Sequence, residues 1–137
     1  MRYLVDTSAL VRITRGQADQ HWHDAVDRGL VALCEPVVVE MLSGVDAKGF
    51  DRASDNLRET YPRVAMPDDV WSVVHAVQAD LAALSQHQGL SVADHLVVAT
   101  AIRLKLAVLH EDADFETVAR VVPELRHQRL AEPPRRT

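Results

Sequence analysis

Arg2-Tyr3-Leu4-Val5-Asp6-Thr7-Ser8-Ala9-Leu10 opens the chain with a short apolar run, then an acid, then two hydroxyl residues. Such a run reads as a buried strand over 2–5 that passes straight into a helix beginning at Asp6-Thr7-Ser8. The same alternation continues downstream. Residues 17–28 have a helical pattern that Gly29 stops, and 30–34 is a second apolar strand. Pro36 suits a first helical position, and the helix over 37–42 ends at Gly44. A third helical pattern covers 50–60, where Pro62 blocks continuation, and 63–66 reads as a brief strand. Asp68-Asp69 opens an amphipathic helix with Val70, Val73, Val74, Val77, Leu81 and Leu84 on one face, running to Gly89. Ser91 begins a helix through 104, followed by a strand at 107–109, a helix at 115–121 and a last strand at 125–130. Strands alternating with helices over short connections give an α/β fold, a parallel sheet with helices on both faces. In such folds ligands bind where the carboxyl ends of the strands meet the following loops.

The length of 137 residues fits one domain, here residues 1–131, with a short basic tail over 132–137. Aromatics are only 4% of the chain, so the core rests on Val, Leu, Ile and Ala. Cys34 is the single cysteine, which excludes an internal disulfide and a four-cysteine zinc site. No apolar stretch approaches the ~20 residues of a membrane helix, and Asp6 and Arg12 interrupt any secretory h-region. A cytoplasmic location is expected. The net charge of −5 argues against broad electrostatic capture of nucleic acid, although the last twelve residues carry four arginines against one glutamate. A solvated, partly disordered tail after Pro133-Pro134 explains those arginines equally well.

Five acids stand in unusual contexts. Asp6 follows the first strand; Glu40 interrupts the run Val37-Val38-Val39 and Met41-Leu42; Asp94 lies in the first turn after Ser91; Asp112 and Asp114 follow the strand at 107–109. Taken singly, each has a structural role available: Asp6 and Asp112 as helix caps, Asp94 within a Ser91-x-x-Asp94 capping box, Glu40 at a solvated helix end. Together they would repel one another at one sheet edge, raising some of their pKa values. A hard divalent cation removes that conflict: magnesium takes oxygen ligands, keeps several waters, and can activate one of them against phosphorus. Bare carboxylates would repel a phosphodiester, so this cluster suits RNA or DNA hydrolysis only with metal bound.

In order and spacing, the motifs Tyr3-Leu4-Val5-Asp6-Thr7-Ser8, Pro36-Val37-Val38-Val39-Glu40, Ser91-Val92-Ala93-Asp94-His95 and Leu109-His110-Glu111-Asp112-Ala113-Asp114-Phe115 resemble the PIN domain, and within it the VapC toxins of toxin–antitoxin pairs. The resemblance covers essentially residues 1–130. It implies a three-layer α/β/α domain with a central parallel sheet, and a type II toxin that cuts transfer or ribosomal RNA with magnesium or manganese. Under it, Asp6 and Asp94 are direct metal ligands and Asp112 is a ligand to the metal or its water shell. Glu40 orients or deprotonates the attacking water, and Asp114 matches a frequent fifth acid. Thr7 and Ser8 support the site through their hydroxyls. Many relatives carry Thr or Ser where this chain has His110. The resemblance also implies a homodimer and a cognate VapB-type antitoxin lying along an apolar groove, for which Val11, Leu42, Val45 and Leu57 are candidates.

Other readings are weaker. The histidines of His21-Trp22-His23 do not share a helix face, so Trp22 as partial core is preferred. Beside Asp94, His95 is read as a helix-surface residue. Arg12 and Arg15 suit either phosphate contact or a solvated face. No phosphate-binding Gly-x-x-x-x-Gly-Lys run exists. An aspartyl phosphatase commonly has a second aspartate where this chain has Ser8. A receiver domain needs a lysine after a late strand, and neither Lys48 nor Lys105 serves. The alternative outside catalysis is a degenerate PIN-like module that binds RNA or protein.

Overall fold

The computed structural model describes residues 1–135; Arg136 and Thr137, the end of the basic tail, lie outside the described residues. Four strands form one wholly parallel sheet: β1 (Tyr3–Val5), β2 (Val31–Ala32), β3 (Ala107–His110) and β4 (Arg126–Arg129), in the order β2-β1-β3-β4. Leu4 pairs with Ala32 on one side and Val108 on the other, and Val108 pairs with His127. The central strands are buried on both faces, which is why Leu4, Val5, Val108 and Leu109 are all apolar. Seven helices flank the sheet: α1 (Thr7–Thr14), α2 (Gln20–Asp27), α3 (Glu35–Ser43), α4 (Phe50–Thr60), α5 (Val70–Ala82), α6 (Val92–Leu104) and α7 (Ala113–Val121). The result is a three-layer α/β/α domain, and no helix among the described residues is long and apolar enough to cross a membrane.

Trp22 of α2 is core: it meets Tyr3 edge-to-face at 5.2 Å, and its Nε1 donates to the Leu130 carbonyl at 2.8 Å. Cys34 is fully buried at the junction of β2 and α3, and burial pushes its thiol pKa up to about 11.

Several expectations are corrected. The strand expected over 63–66 shrinks to a single parallel bridge between Arg63 and Leu33, because Pro62 and Pro67 bracket the segment and neither can donate to a ladder. Helix α5 stops at Ala82 rather than near Gly89. Ser85 takes a left-handed φ of 57°, and Gln86 N–H returns to the Leu81 carbonyl at 2.9 Å. Leu84 therefore leaves the apolar face and stands 58% exposed. Leu57, assigned to a groove, is core, while Val11, Leu42 and Val45 are half-buried. The tail up to Arg135 is exposed yet tethered: the buried Gln128 amide donates to the Glu132 and Pro133 carbonyls and accepts from Arg135 N–H at 2.8 Å.

Candidate metal centre

Asp6 leaves the carboxyl end of β1 with extended backbone and caps α1. Its own N–H donates to the Leu109 carbonyl at 2.9 Å, fixing it against β3. Oδ2 accepts from Ser8 N–H at 3.1 Å and from Ser8 Oγ at 2.8 Å. Oδ1 is buried with no hydrogen-bond partner. The residue as a whole is 3% exposed, so this oxygen is shielded from bulk solvent.

Glu40 arrives from α3 and Asp94 from the first turn of α6. Each offers a carboxylate oxygen such that all three acids' oxygens lie within 4.8 Å of one another. Thr7 Oγ1 donates to Glu40 Oε1 at 2.7 Å. The N-cap Ser91 Oγ accepts from Asp94 N–H at 3.1 Å and sets the start of α6. The run before Glu40 explains its place: Val37 and Val38 are buried, whereas Val39 is 63% exposed and Glu40 faces the open side.

The electrostatics follow from burial and crowding. Burial raises the Asp6 pKa, partly offset by the two Ser8 hydrogen bonds, and the Glu40 charge raises it further. Burial pushes Asp94 up to about 6, with the Asp6 charge the next cause and Glu40 and Asp112 adding to it. Oxygen donors alone, one of them buried and unpartnered, fit a hard divalent cation and do not fit zinc or copper, which favour imidazole or thiolate.

Asp112 stands beside this trio rather than within it. Half-buried at the N-cap of α7, it accepts from Asp114 N–H at 2.9 Å through Oδ1. Asp114 is exposed, and its carboxylate lies alongside Gly89 in the loop before α6. Arg12 and Arg15 are exposed, and Arg12 Nη1 donates to the Ser8 carbonyl at 2.7 Å. His95 is a correction: it is buried, not on the helix surface, and desolvation lowers its pKa.

Two connections escaped the sequence. Ser8 Oγ accepts from Glu111 N–H at 2.9 Å while donating to Asp6, so one hydroxyl joins the β1–α1 and β3–α7 turns. His110, fully buried, accepts from Asp112 N–H at 3.1 Å through Nδ1. An i to i+2 side-chain contact of the Asx or Ser/Thr turn kind was the available signal, and a histidine concealed it.

Comparison with known proteins bears on the family and the fold. Residues 3–121 match the PIN domain family. Ribonuclease VapC6 of Mycobacterium tuberculosis is 38% identical over 101 residues, 73% of this chain and 80% of that protein. Ribonuclease VapC2 of the same species is 33% identical over 97% of this chain and 96% of its own length. Among solved structures, VapBC-1 from nontypeable Haemophilus influenzae superposes with a TM-score of 0.77 at 13% identity, over 96% of this chain and 100% of that chain. VapBC2 from Rickettsia felis, bound to a promoter DNA fragment, gives 0.74 at 14% identity, over 94% of this chain and 98% of that chain. With a matching model across most of its length and relatives above 30% identity, the chain belongs to the PIN-domain family.

Proposed function

We propose that the chain is a divalent-metal-dependent endoribonuclease, the toxin of a type II toxin–antitoxin pair, acting in the cytoplasm on transfer or ribosomal RNA. The observation that carries this reading is the convergence of Asp6, Glu40 and Asp94 from three separated segments, with carboxylate oxygens within 4.8 Å of one another and a buried Asp6 Oδ1 that has no hydrogen-bond partner. Relatives bearing the name ribonuclease supply the substrate class.

Asp6 and Asp94 would hold magnesium or manganese, with Asp112 as a third ligand or a partner of its water shell. A bound cation supplies neutralisation of phosphoryl charge and a more acidic water. The chain's own residues do the rest. Ser8 holds Asp6 Oδ2 and leaves Oδ1 without a hydrogen-bond partner of its own. Thr7 occupies Glu40 Oε1, which leaves Oε2 to take the proton from the attacking water. Asp114, at the exposed rim, is the fifth acid facing the RNA. Hydrolysis in this manner leaves a 5′-phosphate and a 3′-hydroxyl.

The same reading includes a homodimer and a VapB-type antitoxin that brings a basic side chain towards the acids. The solved neighbours named as VapBC complexes support it. The test is cleavage of total cellular RNA by the purified protein with magnesium or manganese, with EDTA, and with Asp6→Asn. Discrete fragments that need metal and vanish in the variant are expected. A folded protein that binds no metal would favour the non-catalytic module instead, and 2′,3′-cyclic phosphate ends would rule out attack by water.

A further inference from the structure

His110 ends β3 fully buried, two residues before Asp112, and neither of its ring nitrogens faces water. Nδ1 meets Asp112 N–H at 3.1 Å and Nε2 meets His127 Nδ1 at 3.0 Å. A backbone N–H can only donate, so His110 Nδ1 must be an acceptor and its proton sits on Nε2. That Nε2–H in turn donates to His127 Nδ1, which puts the His127 proton on its Nε2. A second proton on either ring would set two N–H groups against each other or against the Asp112 amide. Both rings are thus neutral and each has one allowed tautomer. Tilted ring contacts flank the pair: His110 lies 5.2 Å from the Phe115 ring and 5.2 Å from the His127 ring.

In the turn that carries Asp112, successive backbone N–H groups are taken by different side chains. Its preceding N–H, that of Glu111, is taken by Ser8 Oγ, and the Glu111 carboxylate is anchored on Arg129 and Ala131 N–H. The Asp112 N–H belongs to His110 alone. Asp112 Oδ1 caps α7 by accepting from Asp114 N–H, so the carboxylate is held by that cap while the peptide N–H from which the residue springs is held by His110. We propose that His110, braced by His127 on β4, is a positioning residue that orients Asp112 towards the metal. The inference rests on the reading of Asp112 as a metal-linked carboxylate. It assigns to a buried histidine and its half-buried partner a task that neither ring performs by touching metal or RNA.

Manganese affinity of the whole protein, measured by titration calorimetry, tests this without any RNA. His110→Leu removes the acceptor and is expected to weaken manganese binding about tenfold, the usual size of an outer-shell loss. His110→Asn, whose Oδ1 can accept from the same N–H, is expected to restore most of it, which a merely space-filling role would not produce. His127→Phe leaves His110 in place without its brace and is expected to fall between the two. Nitrogen-15 spectra of the wild type should show both rings as the Nε2–H tautomer at neutral pH. If Asp112→Asn weakens manganese binding but folded His110→Leu does not, the positioning role is overturned while the metal site stands. If Asp112→Asn itself changes nothing, the underlying assignment of Asp112 fails. Should His110→Leu not fold, an unchanged affinity in His127→Phe or an Nδ1–H tautomer at His110 overturns the inference.

Discussion

Asp6 Oδ1 and the Asp94 carboxylate are held in the metal-free protein against their own preference, since burial and mutual charge both disfavour ionisation there. For Asp94 the folded-state pKa of about 6 lies above its ordinary 3.8. A raised carboxylate contributes stability through its protonated form, present in full below about 3.8 and lost as pH climbs through about 6. Metal-free protein at pH 7.5 therefore carries an uncompensated penalty. Replacing Asp94 by Asn should lift it, and because solvent screens this half-exposed carboxylate the gain in EDTA is small, roughly 1 kcal/mol or about 4 °C, while metal binding is removed. A melt of Asp94→Asn in EDTA that is lower than wild type would contradict this account. By the same competition between proton and cation, manganese affinity of the wild type should drop steeply below pH 6 and level off above pH 7, as read by calorimetry across that range.

Helix ends position the site, and they also decide how much of it was readable. Ser91 caps α6 and so places Asp94; Ser91→Ala should cost about 1 kcal/mol in urea denaturation and weaken metal binding in parallel. At the other end of α6, Lys105 holds φ 57°, and Lys105→Gly should stabilise by up to about 1 kcal/mol with metal binding untouched. The two ends thus separate stability from function. Both α4 and α6 were legible to the residue, because Pro62 closes one and the Ser91 box opens the other. Helix α5 was overrun by the reading because Leu84 continues the apolar period, whereas the backbone turns at Ser85, a residue that gives no warning of a left-handed conformation. Asp6, Asp112 and Asp114 were legible as residues that follow strand ends, since the parallel fold brings such ends to one edge, whereas Glu40 and Asp94 ride on helices and stood out by local context alone. What joins them was not. The Ser8 bridge to Glu111 spans two turns far apart in sequence, and the His110–His127 pair requires the register of β3 against β4, which no local pattern encodes.

Across the whole molecule, a net charge of −5 and an acidic mouth make RNA an unwilling ligand unless a cation intervenes. Binding should accordingly depend on metal more than on counterion release. Between about 50 and 200 mM monovalent salt at fixed magnesium, affinity for a cleavage-blocked RNA should weaken by no more than about tenfold, far less than for a protein with many phosphate contacts. A steep salt dependence in a filter-binding assay would show instead that arginines such as Arg12 and Arg15 dominate.

Cys34 offers a different kind of access to the same molecule. It is the only thiol, fully buried, and immediately precedes the helix that delivers Glu40. Alkylating reagents can reach it only when the junction between β2 and α3 comes apart, so the labelling rate of native protein is a clock for that opening. Because the Glu40 helix starts there, a cation held by Asp6 and Asp94 whose bound water engages Glu40 would slow the clock, and an unaltered native chain would report occupancy of its own site through the chemistry of a residue that never touches it.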